Sequence, residues 1–225
     1  MEVKNPKNLN VELLHMAPYF TNSVMVSYGN ECVIFDAWGR AADWLNLLHN
    51  RGLNLKAVYS THGHPDHIAA APDLVLETGA TWFLNKKDFD LIGWGDDLLT
   101  QFGLKPLTRG VVPSALPSGR LNIFDKVAVD VIACPGHTPG GVSFYIRDLG
   151  LCLVGDTLFA DSVGRTDLPG GDIHKLKESI LNFYKLNLPD ETVVIPGHDA
   201  VTTIAKLKTE NPFYKMCESA KSNSR

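Results

Sequence analysis

Five of the eight histidines fall into three short motifs, and an aspartate marks a fourth. The densest is Thr61-His62-Gly63-His64-Pro65-Asp66-His67. His137 lies in Pro135-Gly136-His137-Thr138-Pro139-Gly140, Asp156 in Gly155-Asp156-Thr157, and His198 in Pro196-Gly197-His198. Neutral imidazole and carboxylate suit zinc, iron or manganese. An all-thiolate site is absent, because none of Cys32, Cys134, Cys152 and Cys217 is paired as Cys-x-x-Cys. Two imidazoles two residues apart on a turn can reach one ion. Asp66 and His67 then point elsewhere, toward a second ion, and a carboxylate such as Asp156 can bridge the two. A pair of ions about 3.5–4 Å apart can hold a bridging hydroxide and polarise a carbonyl. A lone histidine is more often structural, and His15, His49 and His174 are read that way. The clustered His and Asp pattern is a different matter: ordinary residue frequencies produce it in roughly one chain in a thousand or fewer.

Each motif is expected to follow a strand. Asn22 to Tyr28 and Glu31 to Asp36 read as strands around the turn Gly29-Asn30. Arg40 to Arg51 reads as a helix, with Ala41, Trp44, Leu45 and Leu48 at helical spacing and Gly52 as the stop. Leu55 to Ser60 is a strand that runs into the histidine cluster. Ile68 to Glu77 reads as helix and Ala80 to Leu84 as strand. Val127 to Ala133, Val142 to Ile146, Leu151 to Val154 and Thr192 to Ile195 read as strands. Ile173 to Tyr184 reads as a helix capped by Asp172, and Val201 to Arg225 is expected to end in helix. The candidate ligands thus sit at the C-terminal ends of strands, where a rigid frame can aim loop side chains at one point. Alternating strands and helices give an α/β class. The irregular stretch 88–119, with Pro106, Pro113 and Pro117, is either a partly helical lid or a surface excursion.

The remaining properties narrow the partners. The 225 residues are 44% hydrophobic, which suits one compact domain over residues 1–225. A net charge of −4 without a basic stripe argues against a nucleic-acid enzyme. No apolar run reaches the roughly 18 residues of a membrane span. The opening Met1-Glu2-Val3-Lys4-Asn5-Pro6 carries no apolar signal-type stretch. Three cysteines lie in apolar, strand-like runs, as buried thiols of a reducing cytoplasm would. The expected partner is a small-molecule substrate. The sequence sets no oligomeric state.

These motifs resemble the metallo-β-lactamase superfamily and, within it, the glyoxalase II-like (hydroxyacylglutathione hydrolase-like) enzymes. The likeness runs from about Phe20 to Phe213, and all seven positions of that family's two-metal site have a counterpart. The resemblance implies a four-layer αββα sandwich with the site along one edge of its two sheets. It implies that His62, His64 and His137 hold one metal, that Asp66, His67 and His198 hold the second, and that Asp156 bridges them. Two zinc ions are expected, with iron or manganese as alternatives. Phe20 and Asn22 match the start of the family's N-terminal strand. Asp36 matches the aspartate of its Asp-Pro-Gly turn, here Asp36-Ala37-Trp38-Gly39, and is expected to support the metal loops from behind. Trp38 either lines the pocket or packs.

The activity implied is hydrolysis of a thioester or similar small acyl substrate by metal-bound hydroxide, with Asp66 orienting the nucleophile or accepting its proton. Lactamase activity is not expected, since secreted lactamases carry a signal peptide and lack the bridging Asp. Two departures stand out. Full-length glyoxalase II carries a helical C-terminal domain, whereas Asp199 to Arg225 is short. Its glutathione-binding Lys and Tyr face Ser162-Val163-Gly164-Arg165-Thr166-Asp167-Leu168 here, with Arg165 in place of the Lys and no Tyr. Arg165 is therefore a candidate substrate-binding residue, or else an ion-pair partner of Asp167. Gly164-Arg165-Thr166-Asp167 also resembles the persulfide dioxygenases, which use one iron at the positions of His62, His137 and Asp156. An iron-dependent oxidoreductase is the alternative function, and a non-catalytic metal-binding protein a third.

Overall fold

Several inner strands are apolar on both faces, and the two faces serve different layers. In strand β2 (Thr21–Tyr28), Val24 and Val26 point one way and Met25 the other. The antiparallel strand β1 (Asn10–Met16) pairs with β2 at the sheet edge. Strand β3 (Glu31–Phe35) sends Val33 and Phe35 to one side and Cys32 and Ile34 to the other. Period-two alternation with no polar face is the mark of a strand covered on both sides.

The computed structural model describes residues 8–17, 19–107 and 110–222. Helix α1 (Ala41–Arg51) leads to strand β4 (Asn54–Tyr59), then to the short helices α2 (Pro65–Ile68) and α3 (Ala71–Thr78) and strand β5 (Thr81–Leu84). A 3-10 turn at Lys86–Leu91, helix α4 (Asp96–Gln101) and strand β6 (Ser114–Ala115) complete the first half. The second half runs β7 (Gly119–Ile123), β8 (Val127–Ala133), β9 (Val142–Ile146), β10 (Leu151–Gly155), α5 (Ile173–Lys185), β11 (Val193–Pro196), β12 (Thr202–Thr203), α6 (Ile204–Glu210) and α7 (Pro212–Ser222). The described strands form two six-stranded sheets, ordered β1-β2-β3-β4-β5-β6 and β12-β11-β10-β9-β8-β7.

Three apolar layers separate four structural ones. The central layer lies between the sheets and holds Val24, Val33, Phe35, Tyr59, Val142, Phe144, Leu151 and Ile195. One outer layer joins the first sheet to α1 and α3 through Met25, Ile34, Trp44, Leu48, Val58 and Leu74. The other joins the second sheet to α5, α6 and α7 through Cys152, Val154, Leu176, Ile180, Phe183, Val194 and Leu207. This is the expected αββα sandwich. At one edge the sheets are laced together by backbone hydrogen bonds, Val142 N to Thr61 O at 2.9 Å and Asn22 N to Gly197 O at 2.7 Å.

The expected helix over Ile68–Glu77 is two helices, α2 and α3. Pro72 explains the break, since a proline ring cannot continue an existing helix but fits the first turn of a new one. The C-terminal helix is divided in the same way at Asn211-Pro212. Asp36 falls outside β3 in a left-handed conformation, φ 54°. The four cysteines are free and buried. No helix among the described residues is long and apolar enough to cross a membrane.

Candidate metal centre

The seven candidate ligands converge at the laced edge, each just beyond the strand that precedes it. Their ligand atoms fall into overlapping groups of three, each within 4.8 Å: His62, His64 and His137; His62, His67 and Asp156; and Asp66, His67 and His198. The rings of His62, His64 and His137 stand nearly perpendicular in pairs, with centroids 4.5–4.8 Å apart. Asp156 lies between the groups. Its Oδ2 is 3.5 Å from His137 Nε2 and 3.7 Å from His198 Nε2, and its Oδ1 is 3.4 Å from His67 Nε2. Asp66 Oδ2 is 3.0 Å from His198 Nε2 and 3.8 Å from His67 Nε2. A β-carbon on Gly197 would collide with Asp156 Oδ1 and His67 Cε1, so this backbone can pass only as glycine.

The donor set fits metal ions. The Nε2 atoms of His62, His64, His67 and His137, and Asp156 Oδ1, are buried without a hydrogen-bond partner. Buried polar atoms left bare cost free energy, and cations in the two groups would satisfy all five. Partners on the far side of the rings fix which nitrogen faces inward. His137 Nδ1 donates to Arg165 O at 2.7 Å, and His198 Nδ1 to Tyr19 O at 3.3 Å. Thr61 Oγ1 donates to Asp36 Oδ2 at 2.8 Å, which leaves it free to accept from His62 Nδ1 at 3.0 Å. His67 Nδ1 lies 3.0 Å from the same Asp36 Oδ2. In these four rings Nδ1 is turned outward and Nε2 inward, bare in His62, His67 and His137 and against Asp66 in His198, the arrangement of metal-bound imidazole. Asp36 Oδ1 also accepts from Thr61 N at 2.7 Å. The strained turn at Asp36 therefore holds both loop ends of the cluster, as its place in the sequence implied.

The electrostatics divide the cluster. Burial pushes the His62 imidazole well below its usual value, and neighbouring imidazoles add to the effect. Burial, then His137, lowers His64 to about 4. Burial would also lower His67, but the carboxylates of Asp36, Asp66 and Asp156 outweigh it and raise His67 well above the usual range. His198 is raised as well: its hydrogen bond to Asp66 and the charge of Asp156 overcome burial. In return, His67 and His198 hold Asp66 and Asp156 below the usual carboxylate range, against the effect of burial.

Several residues outside the motifs complete the site. The first part of the irregular stretch roofs it. Trp94, 44% exposed, lies 5.6 Å from the His64 ring, and Gly95 rests against Pro65. Phe102 meets Tyr19 edge-on at 5.3 Å, and Phe159 is 6.4 Å from His198, so the mouth is aromatic. Residues 108 and 109 of that stretch lie outside the described residues. Trp38 is fully buried, packed 5.6 Å from Tyr19. The Arg165 guanidinium makes a two-pronged bond to Asp167, at 2.7 and 2.6 Å, and both side chains are exposed. His15, His49 and His174 are exposed. Asp88 and the backbone carbonyls of Arg165 and Tyr19 gave no signal in the sequence.

Comparison with known proteins agrees. The family model described as the metallo-beta-lactamase superfamily matches residues 16–198, and the chain belongs to that superfamily. It is 32% identical over 209 residues to the hydroxyacylglutathione hydrolase GloC of Haemophilus influenzae, covering 91% of this chain and 98% of that one. Among solved structures, the BLEG-1 B3 metallo-beta-lactamase is 32% identical with a TM-score of 0.81, covering 91% of this chain and 99% of that chain. TTHA1623 in a di-iron-bound form is 32% identical with a TM-score of 0.79, covering 90% and 100%. ETHE1 from Myxococcus xanthus is 26% identical with a TM-score of 0.72, covering 94% and 91%.

Proposed function

We propose that this protein is a glyoxalase II-like metallo-hydrolase that cleaves the thioester of a small acyl group. The observation that carries this reading is the pairing of two ligand groups through one carboxylate, Asp156, lying within 3.7 Å of histidines in both. His62, His64 and His137 would hold one ion and Asp66, His67 and His198 the other, with zinc the expected metal. The similarity to GloC over nearly its whole length favours a hydroxyacylglutathione thioester as substrate. Two ions bound here would supply a water acidic enough to ionise near neutral pH and would polarise the thioester carbonyl.

The chain's own groups do the rest. Asp66, kept ionised by His67 and His198, orients the attacking water or accepts its proton. Water adds to the thioester carbonyl, the C–S bond then breaks, and the proton taken from the water passes to the leaving sulfur, so the products are a carboxylic acid and a thiol. Trp94, Tyr19 and Phe102 receive the organic part of the substrate at the mouth and exclude water from one side. Arg165, through its guanidinium face or by exchanging Asp167 for a substrate carboxylate, serves as an outer anchor.

The test is hydrolysis of S-lactoylglutathione by the purified protein, followed by loss of the thioester absorbance. Activity abolished by a chelator and restored by zinc is the expected result. The persulfide dioxygenase alternative, motivated by Gly164-Arg165-Thr166-Asp167, predicts oxygen uptake on glutathione persulfide by a protein holding one iron. That outcome, with no thioester cleavage, would overturn the hydrolase reading.

A further inference from the structure

Asp88 is not among the seven ligands, yet its carboxylate ties together the two loops that carry the first group. It is fully buried. Its Oδ2 accepts from Gly63 N at 3.0 Å and from Thr138 Oγ1 at 2.7 Å, and its Oδ1 accepts from Gly140 N at 2.5 Å. Gly63 separates His62 from His64, and Thr138 follows His137. One side chain from the turn after β5 therefore fixes the spacing between a loop of the first sheet and a loop of the second.

The fit is close on every side. A β-carbon on Gly140 would lie 2.6 Å from Asp88 Oδ1, and one on Gly63 would lie 2.9 Å from Asp88 O. Each loop has a glycine where its backbone N–H meets Asp88, because a side chain at Gly63 or Gly140 would leave no room for it. A buried carboxylate is tolerated only when hydrogen-bonded, and charge-assisted bonds of this kind are the strong ones. The other supports are placed differently. Asp36 touches Thr61 and His67, and so serves both groups. Asn22 Nδ2 donates to Pro196 O at 2.9 Å and to Asp199 O at 3.0 Å, and so braces only the loop of His198.

We propose that Asp88 is a positioning residue that sets the metal affinity of the His62/His64/His137 group and leaves that of the Asp66/His67/His198 group alone. The proposal rests on the two-ion reading above. Asp88→Asn keeps the shape but puts an NH2 in place of one carboxylate oxygen, so a donor faces either Gly140 N or the pair Gly63 N and Thr138 Oγ1, and the clip loses an acceptor. Orienting partners behind metal ligands typically contribute about 10- to 100-fold in affinity.

The test uses the full chain in two backgrounds, His198→Ala to leave the first group and His64→Ala to leave the second. Zinc affinity is read by competition with a chromophoric chelator. Asp88→Asn is expected to weaken zinc about 10- to 100-fold in the His198→Ala background and less than about twofold in the His64→Ala background. If Asp88→Asn fails to fold, Thr138→Val removes one of the three donors at nearly constant shape and is expected to show the same selectivity on a smaller scale. Equal weakening in both backgrounds, or parental affinity in the first, overturns the role of Asp88 while leaving the two-ion reading in place. A parent protein with its full ligand set that binds no zinc overturns that reading itself.

Discussion

The two ligand groups lie side by side but are built from different materials. The first is deeply buried and rich in imidazole, and burial keeps protons off His62 and His64. The second mixes acids with bases. Its Asp66 and His198 side chains are 22% and 21% exposed, and three carboxylates draw protons onto His67. The first group therefore offers bare nitrogen lone pairs held in place by their surroundings. The second offers charge, and protons can occupy it in place of a metal. One group is prepared by packing and desolvation, the other by electrostatics, and on the proposed function Asp156, which lies between them, couples them.

The coupling is the first thing to break. Asp156→Ala removes the shared carboxylate and is expected to weaken both ions and to lower thioesterase kcat/KM by more than the roughly 100-fold upper range seen for residues that merely support ligands. Metal analysis and kinetics on the same sample check this; retention of either ion at parental affinity would mean that the groups are independent. Asp36→Ala should cost about 10- to 100-fold in affinity at both groups, because Asp36 reaches Thr61 and His67 alike. Zinc titration in the two single-group backgrounds separates that uniform loss from the one-sided loss expected of Asp88.

Protons sharpen the same contrast. His67 and His198 hold their protons above the usual imidazole range, so an incoming ion must displace them. Affinity of the second group should rise as pH climbs through neutrality. The first group should vary less steeply over the same range, since burial already keeps two of its three imidazoles, His62 and His64, unprotonated there. Titrations across that range in the two backgrounds check the slopes, and matching slopes would contradict the division. The smallest effect is at the mouth. Trp94→Ala removes an aromatic contact of about 0.5–1.5 kcal/mol and should raise KM roughly two- to tenfold with little change in kcat. A fall in kcat alone would place Trp94 in support of His64 instead of in substrate binding.

What the sequence revealed followed from side-chain chemistry and periodicity. The histidines declared themselves by type and spacing. Strands such as β10 and β11 showed as unbroken apolar runs because both faces are buried. The marginal elements did not show: β6 and β12 have two residues each, and β1 and β7 are edge strands with partly exposed faces. Pro72 did carry the signal that Ile68–Glu77 is not one helix. Asp88 was invisible for a different reason. Two of its three partners are backbone N–H groups, which every residue possesses, and the third is Thr138, distant in sequence. Likewise, Arg165 drew attention by its guanidinium, while its carbonyl is what orients His137.

If one carboxylate joins two metal-holding groups into a hydrolytic centre, metal content per chain in protein purified without chelator shows it. Two ions per chain, both lost on Asp156→Ala, is the predicted result. A single iron per chain that survives replacement of His198 would contradict it.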